Sequence, residues 1–417
     1  MNALNIVIIG NSAAGLSAAE TVRRYSRESK ITMISDEPHH PYMRCLLTEV
    51  LAGQKTLSHL YYKPLPFYEE HNIRLLKNTQ AVSIIPDREK AILKDGQEVT
   101  YDRLLVATGA ADIPLGIEGE VLGGIYHLRT YSQAEAAAGA AETSHTAVVI
   151  GAGLVGLHAA YALRGRGLEV TIVDAAPHLL INQLDRESAA IMERELMKEG
   201  IRCLFGLRPK AFWPGQGKNR LGSLVTDHDR EIAADMAVVS VGVRPRVELI
   251  EKAGGEVGSG IKVDPFLKTS LPDIYAAGDC IEIRDALSGK SLPSALWPLA
   301  VEQGRFAALN LLGEKRPYPS PLLSMNATQI GRIPLISVGC VNHDTCGEQL
   351  MYKDSSGKSH RKFFIRDDVL AGYILMGGDV QGAGIYTDLV KKRRPISSIR
   401  SKVLKGTVSA ADLLKIR

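Results

Sequence analysis

Two stretches of this sequence place glycine and other small residues where a diphosphate can be gripped. In Ile6-Val7-Ile8-Ile9 followed by Gly10-Asn11-Ser12-Ala13-Ala14-Gly15, a β-branched apolar run enters a turn and continues into an alanine-rich stretch. Ala147-Val148-Val149-Ile150 followed by Gly151-Ala152-Gly153-Leu154-Val155-Gly156 repeats the pattern. Glycine is needed where the chain bends sharply, and again where the main chain must approach a diphosphate without a Cβ in the way. A helix starting there aims its unpaired N–H groups and positive dipole end at the same phosphates. Each copy then reaches a second strand ending beside acid: Ile31 to Ser35 before Asp36 and Glu37, and Val170 to Val173 before Asp174. A carboxylate there accepts hydrogen bonds from both ribose hydroxyls of an adenosine and repels a 2′-phosphate. Asp174 is followed by Ala175 and Ala176 with no arginine, so NADH rather than NADPH is expected. One G-x-G-x-x-G alone reads equally as an ordinary tight turn, and Ser12 replaces the middle glycine of the first copy. Two copies, each in a strand–turn–helix setting and each with its acid, argue for two dinucleotide sites.

The elements that must position these turns fit a chain of this size. With 417 residues and 45% hydrophobic content it exceeds what one core serves, so two or three domains are expected. No run of eighteen apolar residues occurs. Ile6–Ile9 passes straight into the first turn without a basic leader, so no membrane association and a cytoplasmic location are expected. Cys45, Cys203, Cys280, Cys340 and Cys346 are scattered, without a C-x-x-C pair or a Cys/His cluster, so no metal site is expected and the electrons belong on an organic cofactor. A net charge of +4 argues against a nucleic-acid protein. From Gln381 onward, however, nine Lys/Arg face two Asp.

Further motifs resemble the two-dinucleotide-binding flavoproteins, the pyridine nucleotide-disulfide oxidoreductases in the broad sense, over most of the length. Thr100 to Gly109, ending Ala107-Thr108-Gly109, is similar to the segment that closes over FAD. Thr269-Ser270 through Ile274-Tyr275-Ala276-Ala277-Gly278-Asp279 resembles the second FAD motif. There Asp279 accepts a ribitol hydroxyl and Gly278 lets the backbone lie against the cofactor. The resemblance also places Val82 and Arg129 near the FAD adenosine, and Gly242 to Pro245 at the strand end returning from the NAD unit. It implies an α/β protein with two Rossmann-like domains and a C-terminal α+β cap. The FAD domain would comprise 1–113 and 245–320, the inserted NAD domain 114–244 and the cap 321–417. Trp297-Pro298 reads as a helix start. In the family this helix points its N-terminus at the flavin, favouring the negative charge that reduction builds there.

Pro41-Tyr42-Met43-Arg44-Cys45-Leu46-Leu47-Thr48-Glu49 is the segment that separates subfamilies. Disulfide reductases carry Cys-x-x-x-x-Cys here; this chain has Val50 at the partner position, so a dithiol is excluded at this place. Tyr-x-Arg-x-x-Leu-Ser/Thr-Glu resembles the flavin segment of NADH:rubredoxin reductases and of assimilatory nitrite reductases. That likeness puts Arg44 on an FAD phosphate and Glu49 toward the isoalloxazine. Cys45 then reads either as a small residue under the flavin or as a reactive thiol activated by Arg44. Where relatives have glutamate after Gly156-Leu157, this chain has His158, which bears on the nicotinamide preference.

In the cap, Phe363 to Gly377 reads as a β-hairpin turning at Asp367-Asp368, and Lys391-Lys392-Arg393-Arg394 follows a helix from about Ile385. That basic run complements the helix dipole or steers an acidic electron carrier. The expected function is transfer of electrons from NADH through FAD to a small acidic carrier or iron–sulfur protein, with a homodimer as the possible assembly. Two alternatives stand beside it: a single-cysteine oxidase, peroxidase or disulfide reductase using Cys45, and a non-catalytic redox-sensing flavoprotein.

Overall fold

A computed structural model describes residues 3–216, 219–341, 347–353, 359–378, 380–414 and 416; Cys346 lies outside them. The chain divides into two compact units, each interrupted in sequence: 1–45, 56–113 and 243–321 form the first, and 46–55, 114–242 and 322–417 the second.

The first unit is built on a parallel sheet whose strands lie in the order Ile274–Ala276, Arg103–Val106, Asn5–Ile9, Lys30–Ile34, Ile73–Leu76. These strands are near-continuous Val/Ile/Leu runs because both sheet faces are covered. Ile6, Val7, Ile8, Leu104, Leu105 and Ile274 are fully buried. Helices Ala13–Tyr25 and Trp297–Leu311 pack on each other without a side chain between them. A Cβ on Gly304 would fall 2.1 Å from the Ala14 carbonyl oxygen, and Ser17 Oγ donates to the Val301 carbonyl at 2.7 Å. Three small sheets complete the unit: Ala81–Ile85, Lys90–Leu93 and Glu98–Thr100; Ala110–Asp112 with Val243–Pro245; and Ile261–Lys262, Ile281–Arg284 and Ser291–Pro293.

The second unit repeats the scheme. Its parallel sheet runs Ile201–Phe205, Glu169–Asp174, Thr146–Ile150, Met236–Val239, Ile125–Tyr126. In both sheets the strand feeding the glycine turn is central, with the acid-bearing strand on one side and the later strand on the other. This is the order that leaves a crevice where the connections diverge. The C-terminal region adds a five-stranded antiparallel sheet in the order Met325–Ile330, Ile333–Gly339, Val369–Gly377, Ser359–Arg366, Glu348–Lys353. The expected hairpin is present, with Asp367 and Asp368 at its turn in left-handed backbone, and helix Ala383–Lys392 follows. Ile330, Leu335, Phe364, Ile374 and Met376 share one apolar core with Val149, Leu157 and Leu163. Buried polar groups add to that seam: Ser188 Oγ lies 2.8 Å from His360 Nε2, and Lys362 is ion-paired with Asp185. Among the described residues no helix is long and apolar enough to cross a membrane.

Candidate functional site

In the first unit the glycine turn is closed by backbone-to-backbone approach. Gly10 has φ +125°, and a Cβ there would lie 2.0 Å from the Ala107 carbonyl oxygen. Gly15 meets the Gly10 carbonyl equally closely. The second turn is held the same way, Gly151 (φ +104°) against Ser240 and Gly156 against Gly151. The middle positions differ in kind. Ser12 sits at φ −133°, ψ −158° and Gly153 at φ −77°, ψ −178°. Both are extended conformations open to any residue, and a Cβ on Gly153 meets nothing within 4 Å. Serine in the first copy therefore costs the backbone nothing.

Neither helix that leaves these turns is capped by a side chain, whereas Thr130 caps Tyr131–Ala141 and Asp185 caps Arg186–Lys198. Their first-turn N–H groups are left for an anion. Helix Trp297–Leu311 is uncapped too, with proline in its first turn. These free helix starts, with the open space over Gly153, are the features into which dinucleotide diphosphates fit.

Around the first turn the structure gathers Ser12, Ala13, Ala14, Ala107, Thr108, Gly109 and Gly278. Ala107 N donates to Ile9 O at 2.8 Å and Ala277 N to Val106 O at 3.1 Å. Gly278 (φ +86°) would press a Cβ to 3.1 Å from Ala14 Cβ. Its N–H donates to Gln303 Oε1 at 2.8 Å, placing Asp279 beside the buried part of the Trp297 helix. Trp297 meets Tyr62 edge-on at 5.2 Å. Cys280, next in line, is buried, and burial pushes its thiol up to about 11. Val82 falls at a bulge between the paired residues Ala81 and Ser83, which takes its main chain out of the ladder.

The acids at the strand end are already engaged. Asp36 Oδ2 accepts from Arg246 Nη1 at 2.9 Å. Glu37 accepts from the Tyr42 hydroxyl at 2.6 Å and is ion-paired with Arg44, whose guanidinium also lies over the Tyr42 ring at 5.2 Å. Burial opposes the Arg44 charge, but Tyr42 and Glu37 outweigh it and hold its pKa above the usual value. Arg44, expected on a phosphate, is thus found on Glu37. Cys45 is exposed.

In the second unit Asp174 accepts from Ala152 N at 2.6 Å and Ala176 N at 2.7 Å, so the carboxylate is oriented by the glycine turn itself. Leu154 and Val155 open the turn helix, Val155 exposed. Gly242 (φ +109°) ends the stretch returning from Met236–Val239. Arg129 groups with this unit, and its N–H donates to Gln133 Oε1 at 2.9 Å. Glu49, expected toward the isoalloxazine, belongs here as well. It lies on the short helix Leu47–Leu51, ion-paired to Lys55 at 2.7 Å, and its charge reaches His158. His158 Nε2 lies 2.9 Å from Thr328 Oγ1. Burial pushes the imidazole pKa below its usual value, with Glu49 opposing. Sequence reasoning missed Arg246, Tyr42 and Thr328 as partners of Asp36, Glu37 and His158. The Arg246 and Thr328 pairings depend on which distant segments meet in space; Arg246 had a signal in following the Gly242–Pro245 stretch, and Tyr42 in lying five residues from Glu37. No group of three or more His, Cys, Asp or Glu among the described residues is arranged to hold a metal.

Comparison with known proteins agrees with this geometry. Residues 4–304 match the pyridine nucleotide-disulphide oxidoreductase family and residues 325–394 the rubredoxin NAD+ reductase C-terminal domain. The chain is 33% identical to an NADH oxidase of Methanocaldococcus jannaschii over 81% of its own length and 76% of the relative's. It is 33% identical to rubredoxin-NAD(+) reductase of Pseudomonas putida over 76% and 82%. With the assimilatory nitrate reductase electron transfer subunit of Bacillus subtilis it shares 30% identity over 98% of its length but spans only 52% of that protein. Among solved structures, the covalent putidaredoxin reductase–putidaredoxin complex matches with a TM-score of 0.88 and 26% identity, covering 99% of this chain and 100% of that one.

Proposed function

The chain belongs to the pyridine nucleotide-disulphide oxidoreductase family, and on that premise we propose that it passes electrons from NADH by way of FAD to a small iron–sulfur or rubredoxin-type carrier. It is an FAD-dependent NAD(P)H oxidoreductase. FAD, when bound, supplies the conversion between hydride transfer and single-electron delivery. The first turn helix, with Ser12, Ala13 and Ala14, holds its diphosphate, Asp36 and Glu37 face its ribose, and Gly278 and Asp279 its ribitol. Arg44, through Glu37 and Tyr42, fixes that wall. The second turn, Gly151 to Gly156, holds the NADH diphosphate, and Asp174 and Gly242 flank the rest. We retain the division into an FAD domain (1–113, 245–320), an NAD domain (114–244) and a cap (321–417).

The observation that carries the carrier reading is the pairing of a cap matched to the rubredoxin NAD+ reductase C-terminal domain with an active segment lacking a second cysteine. Val50 stands, buried, where that thiol would be. We further propose a cytoplasmic location, an acidic carrier and a homodimeric assembly for this protein, the carrier reading resting on its likeness to rubredoxin-NAD(+) reductase. One observation favours a second reading: Cys45 is exposed and directly follows Arg44 in the chain, and a thiol-based reductase needs an accessible thiol near a cation. Cys45→Ser separates the two. Carrier reduction by NADH should continue at the unsubstituted rate; its loss together with disulfide or peroxide reduction would assign the electrons to the thiol.

A further inference from the structure

We propose that Tyr68 is a positioning residue of the first glycine turn, acting through Asn11 to hold that turn ready for a diphosphate, an inference that rests on the flavin reading of the first unit. The two turns share one frame. Gly10 N–H donates to the Ile34 carbonyl and Gly151 N–H to the Val173 carbonyl, each at 2.9 Å. Ile9 pairs with Ile34 and Ile150 with Val173, so Asn11 stands where Ala152 does and Ser35 where Asp174 does.

On that shared frame the braces differ. In the second turn the Asp174 carboxylate accepts from Ala152 N at 2.6 Å. Serine at the matching strand end has no carboxylate to offer, and the Ser35 hydroxyl donates to the Glu37 carbonyl at 3.3 Å. Asp36 and Glu37 are turned toward Arg246, Tyr42 and Arg44. The first turn is braced instead through a side chain: the Tyr68 hydroxyl donates to Asn11 Oδ1 at 2.6 Å. Alanine, at the equivalent place in the second turn, has no side-chain acceptor for such a bond. Burial holds the Tyr68 phenol above its usual pKa, with the Asn11 contact opposing, so the hydroxyl stays a donor at neutral pH.

Tyr68 is itself held. It lies on the short helix Phe67–Glu70, whose Phe67 is buried in the core of the first unit. Its ring meets His40 edge-on at 5.8 Å, and His40 Nε2 lies 2.8 Å from the Lys63 carbonyl. The stretch 63–72 is tied at both of its ends to Ala13–Tyr25, the helix that leaves the turn. Lys63 pairs with Glu20 at 2.6 Å, and Arg23 donates to the His71 carbonyl at 2.7 Å and the Asn72 carbonyl at 3.0 Å. Asn11 is thus gripped by an element already fixed to the same helix at two other points. Such a grip restricts the turn before a ligand arrives, and ordering done in advance no longer opposes binding.

The test compares the full chain, stripped of flavin and loaded with FAD, in the parent, Tyr68→Phe, Asn11→Ala and the double variant. In an FAD titration of the stripped protein, followed by flavin fluorescence, half-saturation should rise by about three- to tenfold in each single variant, the range expected for one net hydrogen bond. The double variant should rise no further, because both substitutions remove the same contact. The thermal midpoint should fall more with FAD than without it, since only a bound diphosphate demands the closed turn. Equal falls in the two forms with half-saturation unmoved, or single effects that multiply in the double variant, would overturn the proposal and leave Tyr68–Asn11 a purely structural contact. A parent protein that takes up no FAD would overturn the flavin reading beneath it, and the proposal with it.

Discussion

Asp36 and Arg246, 210 residues apart, meet at 2.9 Å and tie the acid-bearing strand of the first unit to the segment returning from the second parallel sheet. The Arg246 main chain is fixed as well. Its N–H donates to Gly109 O at 3.0 Å and its carbonyl accepts from Thr108 Oγ1 at 3.0 Å. The pair holds three motifs in one place: the strand-end acids, the Ala107-Thr108-Gly109 segment and the Gly242–Pro245 return.

Because both side chains of that pair are about two-fifths exposed, the ion pair itself contributes little. Arg246→Ala should lower stability by less than about 1 kcal/mol. Its larger effect is to release Asp36, so flavin affinity, measured by fluorescence on dilution, should change more than the unfolding midpoint. Equal changes in both would show the pair to be purely structural.

The glycines divide into obligatory and dispensable positions. Gly10→Ala sets a Cβ 2.0 Å from a carbonyl oxygen at φ +125° and should yield protein without bound flavin. Gly153→Ser, at an extended φ with nothing within 4 Å, should fold with stability within about 0.5 kcal/mol of the parent. Its only expected effect is on the NADH KM. Urea unfolding and flavin absorbance read both variants.

The seam between the C-terminal sheet and helix Arg186–Lys198 depends on a buried ion pair. Burial disfavours the Asp185 carboxylate, but Lys362 and Ser188 hold its pKa below the usual carboxylate range. A depressed carboxylate contributes stability that is present above the unfolded pKa and is lost as pH falls through the folded one. Lys362→Met strands the carboxylate among apolar groups at a cost of about 3–5 kcal/mol. The acid-unfolding midpoint, followed by circular dichroism, should therefore move to higher pH; an unmoved midpoint would mean that Asp185 is not held by Lys362.

The basic run past helix Ala383–Lys392 separates by role. Lys391, Lys392 and Arg393 are exposed, Lys392 pairing with Asp388 at 2.7 Å. Arg394 turns back to donate to the Leu413 carbonyl at 2.9 Å and the Ile416 carbonyl at 3.3 Å. Charge reversal at Lys391 and Arg393 should slow rubredoxin reduction at low ionic strength and leave ferricyanide reduction unchanged, since steering acts on association. Arg394→Ala should instead lower the thermal midpoint with no salt-dependent effect on the carrier. The opposite pattern would move the docking surface elsewhere.

What the amino-acid sequence determined by itself was everything carried by local rules. The two strand–turn–helix units, their acids, the cap hairpin and the helix start at Trp297-Pro298 follow from periodicity, from glycine where backbone meets backbone and from proline where no N–H is needed. The partners of the charged residues were decided only by the tertiary structure. Arg44 settles on Glu37 and Tyr42, Asp36 on Arg246, and Glu49 is carried into the second unit beside His158 and Lys55. The physical reason is range: a turn or helix start is specified by a few neighbouring residues, whereas Asp36–Arg246 and the His158 environment depend on distant segments meeting, and even the near pairs Arg44–Glu37 and Glu49–Lys55 depend on how an irregular loop folds back.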